Sequence, residues 1–156
     1  DFLPGAFGFD TVADADAEEA ARVDGLDAFV ANVDRSWRNP NLLVWHGDLW
    51  VIDHGACLYF HHGWQGGLGD PARFPAQPWD PDNHVLLSAA DHLPAADAVA
   101  TTALDRAALE AAVGEGPDVW LEPVPGAEAP AQQRAAYVEF LAARLGPRQW
   151  LQGVLT

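Results

Sequence analysis

The spacing of apolar residues changes along the chain from a helical period to short continuous runs. From Ala15 to Val33, apolar residues recur on one helical face, which predicts the first helix. The residues of that face are Val23, Leu26, Val30 and Val33. Asp14 or Asp16 can accept the free backbone N–H groups at the start of such a helix. A polar, irregular stretch from Asp34 to Pro40 follows it.

Two apolar runs come next, and we expect them to form a β-hairpin. Leu42–Trp45 and Leu49–Ile52 have strand-like composition, and His46-Gly47-Asp48 separates them. A glycine in so short a connection is typical of a tight turn between antiparallel strands. The pattern therefore predicts a hairpin directly after the polar stretch.

The rest of the chain is predicted to be mainly helical, with long connections between the helices. Residues 1–10 predict a docked loop, residues 61–83 a long irregular segment, and Glu115–Pro130 a connector rich in Pro and Gly. Helices are predicted at Ala95–Ala100, Asp105–Val113, Ala131–Leu145 and Pro147–Val154. The whole pattern predicts a mainly α (α+β) fold in a single domain over residues 1–156.

Composition and charge exclude some kinds of partner. The chain has 156 residues, 49% of them hydrophobic, and a formal net charge of −15. So acidic a chain is not expected to bind nucleic acid or anionic lipid through its overall field. No segment is long and apolar enough to predict membrane insertion. Cys57 is the single cysteine, which excludes an intrachain disulfide and fits a cytoplasmic location.

Three polar residues around the hairpin have the order and spacing of a kinase catalytic loop. Asp34 lies five residues before Asn39, and Asp53 follows the second strand of the hairpin in an Asp-His-Gly sequence. Phosphoryl transfer needs a carboxylate that orients the attacking hydroxyl, for which Asp34 is the candidate. It also needs hard oxygen ligands for Mg²⁺, for which Asn39 and Asp53 are the candidates.

Each of these residues also has a purely structural interpretation. Asp34 can mark the end of a helix, Asn39 can belong to a turn before Pro40, and Asp53 can end a strand. Any one of these interpretations is plausible alone, but their joint occurrence in this order favours the catalytic one.

Five neighbouring residues are expected to support the site. Asn32 and Asn41 are expected to brace the loop through hydrogen bonds to backbone groups. Arg35 either pairs with a carboxylate or a phosphate, or lies on the surface. His54 is expected to be a structural histidine, and Gly55 to let the chain turn after Asp53.

The residues from Asn32 to Trp64 resemble the HipA-like kinase family, in particular its small actinobacterial-type members. The shared run is Asn-x-Asp-Arg, then Asn-x-Asn-Leu-Leu, then Ile-Asp-His-Gly-Ala-x-Leu-Tyr-Phe-His-His. The run is more distantly similar to phosphatidylinositol 3- and 4-kinases. The resemblance implies that the chain is the large, C-terminal lobe of a protein-kinase-like fold, with the hairpin next to the catalytic loop.

The same resemblance implies a reaction and its cofactors. It implies ATP and Mg²⁺ or Mn²⁺, with Asp34 as the catalytic residue and Asn39 and Asp53 as metal ligands. The γ-phosphate would pass to a hydroxyl acceptor, with protein serine or threonine as the expected acceptor and a lipid head group or small alcohol as open alternatives. His46-Gly47-Asp48 resembles the His-Gly-Asp of aminoglycoside-phosphotransferase-like kinases, but Asp53 stands where those have Asn, so we assign it to the turn.

The chain departs from the kinase pattern in what it lacks. All 8 of its Lys and Arg residues are arginines, and no Gly-x-Gly-x-x-Gly or Walker sequence occurs. Asp1 in place of Met leads us to expect an N-terminus that was trimmed, processed or cut from something longer. The missing kinase elements lead us to expect that the chain belongs to a longer kinase. Its N-terminal lobe would supply the phosphate loop and the lysine. We expect the isolated chain to be inactive without that lobe.

Two other functions stay open at this point. The first is a non-catalytic nucleotide-binding or regulatory module of the same fold. The second is a metallohydrolase built from His54, His61 and Asp53. His61 and His62 are expected on an extended segment and so on opposite faces, which allows at most one of them in such a site. Cys57 is expected to be a buried thiol rather than a nucleophile.

Overall fold

A small antiparallel sheet and several helices form the described part of the chain. The structure is a computed structural model, and it describes residues 3–10, 15–88, 94, 97–98 and 103–146. Within these residues the fold is mixed α/β, with a sheet of three strands. Most of the helix predicted at Ala95–Ala100 and all of the helix predicted at Pro147–Val154 lie outside the described residues.

The first helix, α1, spans Ala17–Val30. Asp16 caps it, because its side chain accepts the N–H groups of Glu18 and Glu19. The helix ends three residues before the predicted boundary. Ala31 adopts a left-handed conformation at φ 56°, and the Asn32 N–H bonds back to the Asp27 carbonyl at 2.8 Å. This ending turns the chain sharply into the Asp34 loop.

The buried face of α1 differs from the predicted one. Val23 is buried, but Leu26 is 42% exposed and Val33 is 62% exposed. Asp24 and Asp27 are instead completely buried. The prediction of an apolar face through Leu26 and Val33 is therefore wrong, because two charged side chains on this helix find partners inside the protein.

The predicted hairpin is confirmed. Strand β2 spans Leu42–Trp45, β3 spans Asp48–Val51, and Leu42 pairs with Val51 in antiparallel register. The second strand begins one residue earlier than predicted, because the turn consists of His46 and Gly47 alone, at φ 55° and 91°. Positive φ at both central residues is the signature of a type I′ turn, whose twist matches that of the strands.

A third strand lies where a loop was predicted. Strand β1 spans Phe7–Gly8 and pairs antiparallel with β2, which gives the order β1-β2-β3. The edge of β2 opposite β3 offers unpaired backbone groups, and this short segment satisfies some of them. The sheet packs into a core with α1 and with residues just before Ser88. Its buried members are Phe9, Ala20, Val23, Leu42, Val44, Leu49, Val85 and Leu86.

The chain divides into two compact units. The first includes Asp1–Cys57 and Trp79–Ala98, and the second includes Leu58–Pro78 and Val99–Trp150. Every residue proposed above for catalysis or metal binding in a kinase belongs to the first unit.

The second unit contains two helices and short 3₁₀ segments. Helix α2 spans Arg106–Gly114 with Asp105 as its cap, and α3 spans Pro130–Leu145, both within one residue of the predicted bounds. The 3₁₀ segments are Tyr59–Gly66, Pro71–Arg73 and Asp118–Trp120. An aromatic cluster forms much of its interior, from Phe60, Trp64, Phe74, Tyr137 and Phe140. In the described parts of both units, no helix has the length and apolar character needed to cross a membrane.

Candidate active site

The loop after α1 brings Asp34 and Asn39 together. The backbones of Ser36 and Asn39 exchange two hydrogen bonds of 3.0 Å, which close the loop into a tight turn. The Asn39 Nδ2 group donates to Asp34 Oδ2 at 2.7 Å. The five-residue spacing read from the sequence therefore corresponds to direct contact between the two side chains.

Asn41 connects this loop to the end of the hairpin. Its Nδ2 group donates to Asp34 Oδ2 at 3.2 Å and lies 3.4 Å from the Asp53 carbonyl oxygen. The Asn41 carbonyl accepts the Ile52 N–H at 3.0 Å. Asp34, Asn39, Asn41 and Asp53 thus form one hydrogen-bonded group, in which Asn41 braces both a side chain and the backbone, as predicted for it.

The backbone conformation at Asp53 orients its side chain. Asp53 has a φ of 49°, and its Oδ1 accepts the N–H of Gly55 at 3.2 Å. A Cβ atom on residue 55 would lie 3.2 Å from that oxygen, which is tighter than ordinary contact. Gly55 lies in a turn, as predicted, although the positive φ is at Asp53 rather than at the glycine. The absence of a side chain at Gly55 also allows the close approach of the Asp53 carboxylate.

Positive φ angles at residues other than glycine surround the site. Ala31, Asn41 and Asp53 have φ values of 56°, 49° and 49°. Such conformations are uncommon for L-residues and persist where surrounding contacts impose them, often at functional sites. They occur at the entrance to the Asp34 loop, at its exit, and at the end of the hairpin.

The oxygen atoms at the site suit a hard cation. Among the described residues, Asp34 Oδ1, Asn39 Oδ1 and Asp53 Oδ2 accept no hydrogen bond. Carboxylate and amide oxygens are ligands that Mg²⁺ prefers, commonly beside water and substrate phosphates. The described residues contain no group of three or more His, Cys, Asp or Glu side chains able to hold a metal ion. Asn39 and Asp53 each offer one oxygen of the kind that Mg²⁺ takes.

Arg35 is buried and pairs with a carboxylate. Its side chain is inaccessible to solvent, and its Nε donates to Asp27 Oδ2. Its Nη1 group donates to the carbonyl oxygens of Asn41 and Pro40, at 2.5 and 3.3 Å. Of the interpretations left open for Arg35, the carboxylate pair is confirmed and the surface position is wrong.

Asn32 links the same carboxylate to the catalytic candidate. Its Nδ2 donates to Asp27 Oδ1 at 2.9 Å, while its Oδ1 accepts the Asp34 backbone N–H at 3.1 Å. The Asn32 carbonyl accepts the Trp79 indole N–H at 2.7 Å. The bracing hydrogen bond expected of Asn32 is therefore present.

His54 packs against Arg35. The His54 Nε2 atom lies 3.2 Å from Arg35 Nη2, and since a guanidinium only donates, the imidazole accepts through this nitrogen. Burial, together with the positive charge of Arg35, lowers the pKa of His54 and favours the neutral ring. Below it, the Cys57 thiol donates to the His54 carbonyl at 2.8 Å, and burial raises the pKa of this thiol. A structural role for His54 fits this geometry.

His84 and Asp24 complete a buried cluster that we did not predict. His84 Nε2 lies 3.0 Å from Asp27 Oδ2, and His84 Nδ1 lies 2.8 Å from Asp24 Oδ1. Both Asp24 oxygens are buried without a well-oriented hydrogen bond, so this ion-pair contact is what offsets their charge. Burial alone would lower the pKa of His84, but the contacts with the two carboxylates outweigh it and raise the pKa. The available sequence signal was a pair of carboxylates three residues apart on α1.

The remaining histidine candidates lie in the second unit. His61 and His62 belong to a 3₁₀ helix, not to an extended segment, and their ring centroids are 4.2 Å apart. The expectation that they point to opposite faces is wrong. His61 packs edge-on against Phe60 and Tyr137, and burial lowers its pKa. This environment is that of a packed aromatic cluster.

The chain was compared with known proteins at three levels. Neither protein-family models, nor curated proteins, nor solved structures gave a match.

Proposed function

We propose that this chain is the large catalytic lobe of an ATP- and Mg²⁺-dependent, HipA-like kinase. It would transfer the γ-phosphate of ATP to a hydroxyl group, with protein serine or threonine as the acceptor. The observation that carries the proposal is the contact of Asn39 and Asn41 with Asp34 Oδ2, together with the approach of Asn41 to the Asp53 backbone. Residues spread over 20 positions of sequence meet in one group whose chemistry suits phosphoryl transfer.

Asp34 is assigned the role of orienting the acceptor. Two amide groups donate to its Oδ2, which restricts rotation of the carboxylate. Its Oδ1 accepts nothing from the described residues and is left to receive a hydroxyl proton. A fixed carboxylate with one free oxygen is what an in-line attack by a hydroxyl requires.

Asn39 and Asp53 are assigned to the metal. The Asn39 amide oxygen and the Asp53 Oδ2 are the atoms that would hold Mg²⁺. When bound, the ion neutralises charge on the phosphate oxygens. The Gly55 N–H donates to Asp53 Oδ1 and leaves Oδ2 without a hydrogen bond from the described residues.

The phosphates of ATP need further positive partners. The chain has no lysine, and Arg35 is buried with its nitrogens engaged by Asp27, Asn41 and His54. Arg35 is therefore unsuited to bind phosphate. We propose that an N-terminal lobe supplies the phosphate loop and the lysine.

The test is phosphate transfer from labelled ATP by the longest reading frame that contains this segment. Asp34→Asn should reduce phosphate transfer to an acceptor, and also autophosphorylation, by orders of magnitude. Asp48→Asn is the matched control, because Asp48 is an exposed carboxylate in the hairpin, and it should leave transfer unchanged. Absence of transfer, or transfer that is indifferent to Asp34, would contradict the proposal.

The same preparation distinguishes a kinase from a nucleotide-binding module. Binding of MgATP without transfer, unaffected by Asp34→Asn, would favour the non-catalytic module. In the metallohydrolase alternative, His54 could bind the metal only through Nδ1, because its Nε2 faces the Arg35 guanidinium. No geometric observation favours that alternative.

A further inference from the structure

One carboxylate on α1 is bonded to Asn32 and Arg35, which lie on either side of Asp34 in the sequence. Asp27 has no exposed side-chain surface. Its Oδ1 accepts from Asn32 at 2.9 Å, and its Oδ2 accepts from Arg35 and lies 3.0 Å from His84 Nε2. Two side chains from the loop and one from a distant part of the chain therefore converge on this single group.

We propose that Asp27 is the positioning residue of the catalytic loop, with His84 holding it from the opposite side. The inference rests on the proposed function, since it assigns to Asp27 the orientation of Asp34. Asp27 itself does not contact the reacting atoms and acts only through Asn32 and Arg35.

The first connection runs through Asn32 to the backbone of Asp34. Asp27 fixes the Asn32 amide by accepting from its Nδ2, which directs the Asn32 Oδ1 toward the Asp34 N–H at 3.1 Å. An amide has one acceptor end and one donor end, so fixing one end determines where the other points. The position of the Asp34 main chain thus depends on Asp27.

The second connection runs through Arg35 to the side chain of Asp34. The guanidinium is planar, so its bonds to Asp27 fix the direction of Nη1, which donates to the Asn41 carbonyl at 2.5 Å. Asn41 in turn donates from Nδ2 to Asp34 Oδ2 at 3.2 Å. Asp27 therefore holds both the backbone and the carboxylate of the catalytic candidate.

His84 balances the charge of the buried cluster formed by Asp24, Asp27, Arg35 and His84. Two buried carboxylates, Asp24 and Asp27, stand against Arg35 and His84. The cluster is neutral when His84 is protonated, and the contacts with both carboxylates raise the pKa of His84 in that direction. An uncompensated charge would be costly at full burial, so His84 keeps Asp27 ionised and able to accept from Asn32 and Arg35.

Asp27→Asn separates positioning from simple stability. The amide would turn one acceptor into a donor and oppose the donors of Asn32, Arg35 or His84. In the full-length kinase we expect kcat to fall by about 10- to 100-fold, as for a displaced catalytic group, while the Kd of MgATP is unchanged. Val23→Ala is the matched control. It removes buried apolar volume from the same helix without removing any hydrogen bond or ion pair of the cluster, and kcat of its folded protein should be unchanged.

A double variant tests the connection through Asn32. If Asp27 acts through Asn32, combining Asp27→Asn with Asn32→Ala should reduce kcat by less than the product of the two single effects. Multiplicative effects would contradict that connection. If Asp27→Asn does not fold, Arg35→Lys replaces it, since an ammonium keeps the charge but cannot hold Asp27 and Asn41 in a planar fork.

An activity-independent readout keeps this proposal apart from the proposed function. In ¹⁵N spectra of the same full-length protein, Asp27→Asn or Arg35→Lys should shift the Asp34 backbone amide and the Asn41 side-chain amide, and Val23→Ala should not. If neither amide signal shifts in these variants, the positioning role is wrong. The positioning role is also wrong if kcat is unchanged in Asp27→Asn although Asp34→Asn abolishes transfer. Absence of transfer by the wild type with these shifts present would overturn only the kinase.

Discussion

The carboxylate of Asp27 and the guanidinium of Arg35 form an ion pair in which neither side chain is exposed to solvent. Removing two charges from water is costly, and the attraction between them repays this only when the remaining donors and acceptors are also satisfied. Here Asn32, His84 and the Asn41 carbonyl satisfy them. The pair therefore joins α1 to the Asp34 loop as one rigid unit.

Breaking one side of this pair should destabilise the protein strongly. We expect Arg35→Met to lower the free energy of unfolding by about 3–5 kcal/mol, because Asp27 is left buried with a reduced counter-charge. Asp27→Leu combined with Arg35→Met should cost less than the sum of the single changes, since no isolated charge remains. Urea unfolding of the three variants measures this, and strict additivity would contradict it.

The buried His84 should make stability depend on pH. Contacts with Asp24 and Asp27 raise its folded pKa above the ordinary value of 6.5. A group with a raised folded pKa contributes stability that is complete below its unfolded pKa and is lost as pH rises through the folded pKa. We therefore expect the urea midpoint to fall from about pH 6.5 upward.

The groups facing His84 define the control for that measurement. They are the carboxylates of Asp24 and Asp27, and the Trp79 ring, whose centroid lies 5.4 Å from that of the imidazole. Arg35 bonds to the same Asp27 carboxylate. His84→Gln removes the titrating imidazole, so the urea midpoint should no longer fall as the pH rises above about 6.5. The acid limb should persist in that variant. Burial alone would raise the pKa of Asp27, but its hydrogen bonds lower it, so its contribution is lost as pH falls through that lowered value. An unchanged alkaline limb would show that another group titrates.

Replacing either proposed metal ligand should change how phosphate transfer depends on Mg²⁺. We expect Asn39→Ala and Asp53→Ala to raise the Mg²⁺ concentration at half-maximal transfer or to abolish transfer, because each removes one hard oxygen donor. Titration of Mg²⁺ at constant ATP measures this in the full-length protein. Asp48→Ala serves as the control, and an equal effect of all three changes would argue against a specific metal site.

The hairpin turn should be sensitive at Gly47. A Cβ at this position meets nothing within 4 Å, but the φ of 91° is unfavourable for any L side chain. Gly47→Ala should therefore lower the free energy of unfolding by about 1–2 kcal/mol through backbone strain alone. Gly8→Ala is the matched control in the same sheet, since its Cβ also meets nothing and its φ is not positive. Equal losses in the two variants would refute the strain argument.

Cys57 should react slowly in the folded protein. Burial raises the pKa of its thiol, and the Sγ donates to the His54 carbonyl at 2.8 Å, so little thiolate forms at neutral pH. We expect slow modification by a disulfide reagent under native conditions and rapid modification in urea, followed by absorbance. A fast native reaction would indicate that Cys57 is an activated thiol.

Local features of this protein could be predicted because they depend on neighbouring residues. Strand composition and a short glycine turn predicted the hairpin, and helical spacing predicted α1, α2 and α3 to within a few residues, with an aspartate cap predicted for α1. The spacing of Asp34 and Asn39 corresponds to side chains in direct contact across a tight loop, and the short hairpin returns the chain so that the Asp53 backbone carbonyl lies beside Asn41.

The tertiary structure decided which charges are buried and what holds the loop. Periodicity assigned Leu26 and Val33 to the core, whereas Asp24 and Asp27 occupy it. A carboxylate can be buried only where donors meet it, and those donors come from Arg35 and from His84, 57 residues beyond Asp27. Strand β1 likewise depends on the free edge of β2. The sequence alone determined the turns and the spacing of the site residues. Contacts between distant segments, which no local pattern encodes, determined the buried cluster that supports them.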